Sequence, residues 1–169
     1  LNDAENYFAQ AANSKTLITA LRESKEDAAA IEDADAKGFQ LFYYKNDSLL
    51  HWTGNHVIPT SSASGIKQGT SFSRFKNGWY LVCKYTDSIQ HEVILGLFPV
   101  KYNYPFENKF LKNEYAANFN VPRNIELSEQ PIEGSLAVKN LKGEFLFSLY
   151  VSAEKKETDL NFVLLLSQL

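Results

Sequence analysis

Imidazole serves as general base, nucleophile partner and metal ligand, so His51, His56 and His91 are the first residues to weigh for chemistry. None stands beside a strained Gly-x-Ser-x-Gly turn, and no activated serine is indicated. His51 and His56 are five residues apart, which sets them on opposite faces of an extended strand and against a shared metal. Cys83 is the only cysteine, so there is neither an internal disulfide nor a set of thiolates for zinc. We assign no metal and no cofactor. The segment Ser64-Gly65 to Gly69-Thr70 invites comparison with a phosphate-binding loop, but Thr70 stands where that motif needs lysine and the glycine spacing is short. Glu126, Glu129 and Glu133 would have to be buried to separate their pKa values for acid–base work, and their setting near Pro122 and Pro131 reads as solvated. The chain therefore reads as a domain without a recognisable catalytic site.

The aromatic side chains say more. Tyr43, Tyr44, Trp52, Trp79, Tyr80, Tyr85, Tyr102 and Tyr104 cluster in or beside sheet-forming segments. Side chains with an apolar body and one polar tip suit a small-ligand pocket. Lys101 and Asn108 flank the Tyr102 to Tyr104 segment, where they would orient a ligand. The competing reading is an aromatic core with satisfied hydroxyls, in which Lys101 and Asn108 only close the end of the sheet.

The elements that must position these residues follow from periodicity. Asp3 to about Ala36 has neither Gly nor Pro and is rich in Ala, Glu, Lys and Asp, which predicts helix. Tyr7, Ala11, Ile18, Leu21, Ala28 and Ile31 fall on one helical stripe. One long helix is expected, with Asn13 and Ser14 as a place where a second could start. The stripe of such a rod must pack on something.

Beyond Gly38 the pattern becomes that of strands. Phe39 to Lys45 and Leu49 to Thr53 form a hairpin around Asn46-Asp47, and Trp79 to Tyr85 pairs with Glu92 to Val100. Both faces of the latter strand are apolar, which predicts a central strand. Leu136 to Lys139 and Phe145 to Val151 make a third hairpin at Lys142-Gly143. Pro59 to Ser73 reads as a mobile surface loop, and Glu107 to Tyr115 as a short helix. The expectation is one α+β domain over residues 1–169, a long N-terminal helix on an antiparallel sheet of about five or six strands.

Bulk properties exclude some partners. With 169 residues, 44% of them hydrophobic, the chain can bury one sizeable core. A formal net charge of -3 gives no basic stripe for nucleic acid or anionic membrane. The leucine at position 1 and the lack of methionine lead us to expect a segment of a longer chain. No apolar run is long enough to span a membrane; Phe162 to Leu166 is either a last strand or the approach to a transmembrane helix.

The string Phe39-Gln-Leu-Phe-Tyr-Tyr-Lys-Asn-Asp-Ser-Leu-Leu-His-Trp-Thr-Gly-Asn55 resembles a segment in the extracytoplasmic regions of Bacteroidetes-type sensor histidine kinases. The likeness continues in Asn77-Gly-Trp-Tyr-Leu-Val82, Ile94-Leu-Gly-Leu-Phe98 and Tyr104-Pro-Phe-Glu-Asn-Lys-Phe-Leu-Lys-Asn113, covering roughly residues 39–122. His51 and Thr53 depart from the pattern. The resemblance implies a periplasmic domain held between two transmembrane helices, PAS-like or Cache-like, homodimeric in the full-length receptor, with the kinase enzyme outside these residues. Asp47-Ser48-Leu49 and Asp87-Ser88-Ile89 look like the O-glycosylation acceptor pattern of exported proteins of such bacteria. The candidate ligand-binding set is then Trp52, Asn55, Trp79, Tyr80, Lys101, Tyr104 and Asn108. The expected function is reception of an unidentified small-molecule or protein signal; the alternatives are a stand-alone periplasmic binding module and a hydrolase with an unfamiliar site.

Overall fold

The computed structural model describes residues 1–25, 28–58, 60–122 and 124–151. They fall into two compact units, one from Leu1 to Ala116 and one beginning at Ala117, where the sequence reading took the whole as one domain. The expected strand or membrane approach at Phe162 to Leu166 lies outside the described residues.

The first unit is mixed α and β. It opens with three short helices, α1 (Asn2–Ala11), α2 (Lys15–Arg22) and α3 (Ala29–Ala36), in place of the long rod expected. The breaks have local causes. The chain turns at Asn13-Ser14, with Ser14 extended as the residue before α2, and α2 ends where Ser24 takes a left-handed φ of 52°. The deeper cause is packing. One helix of some 34 residues would be about 50 Å long, whereas five strands about 4.8 Å apart make a sheet only about 20 Å across. Folded back, each helix buries its own face: Ala4 and Phe8, then Leu17, Ala20 and Leu21, then Ile31 and Ala34. Of the predicted stripe only Leu21 and Ile31 are buried; Tyr7, Ala11, Ile18 and Ala28 sit at the boundary.

The sheet comprises β1 (Gln40–Lys45), β2 (Ser48–Trp52), β3 (Gly69–Phe75), β4 (Gly78–Asp87) and β5 (Glu92–Tyr102), all neighbours antiparallel, in the order β2-β1-β5-β4-β3. The predicted central strand is central. Asn46 and Asp47 both have positive φ, 49° and 59°, as a two-residue hairpin turn requires. On one face α1 lays Phe8 against Phe39, with ring centroids 5.8 Å apart, and Phe39 meets Phe98 at 5.2 Å. Gly96 is the floor of this contact: a Cβ there would come within 2.5 Å of the Phe8 ring.

The other face carries a core of Phe42, Tyr44, Tyr80, Val82, Leu95 and Leu97, closed by Val57 and Ala63. The segment predicted as a mobile loop is thus a cover in its first part and a strand in its last. Asp47 accepts hydrogen bonds from Ser62 Oγ (2.6 Å) and Ala63 N (3.0 Å), and Lys84 Nζ donates to the carbonyls of Ala63 (2.8 Å) and Ile66 (2.9 Å). The expected helix over Glu107 to Tyr115 is absent. Asn108 Oδ1 instead accepts from Phe110 N and Leu111 N, at 2.8 and 2.9 Å, which bends the chain.

The second unit is a three-stranded antiparallel sheet in the order β6-β8-β7, from β6 (Ile125–Ser128), β7 (Leu136–Lys139) and β8 (Phe145–Val151). The β7–β8 hairpin matches its prediction. Its turn is fastened by Asn140 Oδ1, which accepts from Lys142 N and Glu144 N.

Candidate functional site

An open cleft of about 620 Å³ lies in the first unit between α3 and the edge strand β2. It is lined by Ile31, Glu32 and Asp35 from the helix and by Leu50 to Asn55 from the strand and the turn after it. Its two walls have different origins. On α3, Ile31 and Glu32 are followed by Asp35 one turn later, so both carboxylates stand on the same stretch of helix surface. On β2, the register shift between Tyr43 and Tyr44 is a bulge that leaves Leu50 without a partner opposite it. Leu50 is 55% exposed and Trp52 44%, large values for such side chains.

The turn at the foot of the cleft is fixed by hydrogen bonds, of which the pair between Gln40 and Val57 is buried. Gln40 Nε2 donates to the carbonyls of Gly54 and Val57, both at 3.1 Å, and Gln40 Oε1 accepts from Val57 N at 2.9 Å. Thr53 Oγ1 accepts from Leu41 N at 2.9 Å, while Asn77 Nδ2 donates to the His56 carbonyl at 2.6 Å. Gly54 turns the chain with φ +65°, a conformation that disfavours any side chain. The rim is therefore arranged before anything binds. His51 contributes a different feature: it is buried, and its Nε2 has no hydrogen-bond partner. A buried polar atom left so is uncommon and costs stability.

Of the seven residues singled out in the sequence, Trp52 and Asn55 line this cleft. The other five are distributed over the rest of the first unit. Trp79 and Lys101 are partners in the β4–β5 register; Arg74 lies over the Trp79 ring at 5.0 Å, and Lys101 Nζ over Tyr115 at 4.9 Å. Tyr80 is a core residue whose hydroxyl accepts from Asn77 Nδ2 at 2.9 Å, and burial raises its pKa. Tyr104 stacks on Tyr102 with centroids 5.8 Å apart, and Asn108 braces the turn already described. Sequence reasoning missed Glu32 and Asp35. The signal for them was three-residue spacing in a helix, but with a single rod in mind nothing tied that face to β2.

Among the described residues no group of three or more His, Cys, Asp or Glu side chains is placed to hold a metal. No helix of the described residues is long and apolar enough to cross a membrane. Comparison of the chain with protein-family models, curated proteins and solved structures finds no match.

Proposed function

We propose that the chain is the extracytoplasmic signal-receiving domain of a membrane-bound sensor histidine kinase, and that the cleft between α3 and β2 receives the signal. The cleft is the observation that carries this reading. It joins an exposed tryptophan and a pre-arranged turn to a short helix, so an occupant touches the sheet and the helical layer at once. Binding there biases the position of α3 against β2, and a signal is transmitted to the extent that the ligand prefers one of the two positions. A full switch from about 1:99 to 99:1 needs about 5.5 kcal/mol of such preference. The family resemblance across roughly residues 39–122 supplies the rest of the proposal: a periplasmic location, flanking transmembrane helices and a homodimeric receptor.

The test is a thermal-shift screen of small compounds with the isolated chain and its Trp52→Ala variant. A ligand at about 100 times its dissociation constant adds about 2.7 kcal/mol to stability. The expected result is stabilisation that the Trp52→Ala variant loses. Stabilisation equal in both proteins would move reception away from this cleft, and the same ligand failing to change kinase output in the full-length receptor would remove the sensing role.

A further inference from the structure

We infer that the cleft takes a small organic cation, an ammonium or guanidinium group on a short apolar stem. This rests on the reading of the cleft as the receiving site and adds the class of its ligand.

Charge is the first argument. Glu32 and Asp35 bring two carboxylates to one wall, and neither takes part in an ion pair among the described residues. Like charges three apart on a helix repel, so a cation placed between them removes an unfavourable interaction as well as adding favourable ones. Among the described residues no lysine or arginine lines the cleft.

The opposite wall supplies the complementary surface. The indole of Trp52 is the best natural face for a cation, and nearly half of it is open to solvent. Arg74 over Trp79 shows the same pairing elsewhere in this unit, where the protein provides its own cation. At Trp52 no cation–aromatic pair is formed among the described residues. β2 is also a sheet edge, and an edge strand presents backbone carbonyls that accept from N–H donors.

Size and apolar content set the stem. Ile31 and Leu50 flank the polar groups, and a volume of about 620 Å³ lies within the range of small-molecule clefts, about 300–1,000 Å³. An anion would meet the carboxylates unfavourably. A neutral apolar molecule would strip water from them and return no hydrogen bond.

The probes are diaminobutane and agmatine as cations, with butanediol and succinate as neutral and anionic counterparts. They are titrated into the chain carrying Trp79→Phe, so that Trp52 alone reports by fluorescence. The expected result is quenching of Trp52 by the cations, binding about tenfold or more tighter than that of butanediol, and weakening as salt is raised. Glu32→Gln with Asp35→Asn should lose about tenfold in affinity, and Trp52→Leu, which removes the fluorophore and is therefore titrated by calorimetry, severalfold; all three positions are exposed, so folding is not at stake. Equal binding of butanediol or succinate, or cation binding indifferent to the Glu32/Asp35 pair, would overturn the inference. Binding only of lysine-bearing peptides would replace the small ligand by a protein segment. If a neutral or anionic compound from the screen gives stabilisation that Trp52→Ala abolishes, the cleft remains the receiving site and only the ligand class is wrong.

Discussion

Arg22, the last residue of α2, holds Glu92, the first residue of β5, by two side-by-side hydrogen bonds of 2.9 and 2.6 Å. The same carboxylate accepts from the Tyr43 hydroxyl at 2.8 Å and from Lys45 Nζ at 3.3 Å. This is the point at which the helical layer is charge-locked to the middle of the sheet. Burial by itself would raise the Glu92 pKa; the hydrogen bonds from Arg22, Tyr43 and Lys45 outweigh it, and the net shift is downward. Burial and the neighbouring carboxylate push the Tyr43 hydroxyl up to about 12.

A pH dependence follows from that sign. The folded pKa of Glu92 lies below its unfolded value, so its contribution is complete above the ordinary glutamate pKa of about 4.3 and is lost as pH falls through the folded value. Urea midpoints measured from neutral pH downward should drop more steeply in the wild type than in Glu92→Gln. Arg22→Ala should cost about 1–3 kcal/mol at neutral pH, toward the low end because the Arg22 side chain is 41% exposed. A variant as stable as wild type would show that the lock contributes nothing.

Gly96→Ala is expected to destabilise by about 1–3 kcal/mol, because the new methyl group meets the Phe8 ring and stands only 3.0 Å from Phe39. Combining it with Phe8→Leu should cost less than the sum of the two changes, as contacting residues couple. Additive effects in chemical denaturation would mean that α1 does not rest on β5 at this point.

Cys83 is buried in β4, and burial pushes its thiol up to about 12. The thiolate is the reactive species. A thiol reagent at pH 8 should therefore leave Cys83 unmodified in the folded protein and react in urea. Rapid modification without denaturant would show that β4 is open to solvent.

Proteolysis separates the two long connections. Trypsin should cut after Lys109 or Lys112, in a turn where Phe106 and Phe110 are also exposed, faster than after Lys67, beyond the packed cover on the sheet. The reverse order would restore the reading of Pro59 to Ser73 as mobile.

What was legible in the sequence follows the strength of local signals. Three hairpins could be read because turn residues such as Asn46-Asp47 and Lys142-Gly143 sit between runs of β-formers. The centrality of β5 could be read because Val93, Leu95 and Leu97 alternate with Ile94 and Phe98, so that neither face is polar. β3 escaped because Thr70, Ser71, Ser73 and Arg74 make it look like loop; an edge strand needs few apolar residues, and its identity is set by pairing with β4. β6 is only four residues long and has no pattern to detect. The first helix break could be read at Asn13-Ser14 as an alternative to one long helix, but the second could not, since Ser24 and Ala28 carry no strong stop signal and the dimensions of the sheet decide where the chain must fold back. The cleft was half legible for the same reason: Trp52 and Asn55 belong to a local motif, whereas Glu32 and Asp35 reach it only through tertiary packing.

The central position of β5 has a temporal consequence. β1 pairs with β5 from Gln40 opposite Leu97 to Lys45 opposite Glu92, so the inner edge of β1 finds its partner only after all the intervening chain exists. Until then the β1–β2 hairpin carries Phe42 and Tyr44 uncovered and its main-chain groups unpaired on that edge. Contacts so distant in sequence form slowly, because the loop must close before any pairing compensates for it. A growing chain that stalls before Glu92 presents an apolar strand edge to its neighbours, the kind of surface that aggregates or recruits a chaperone.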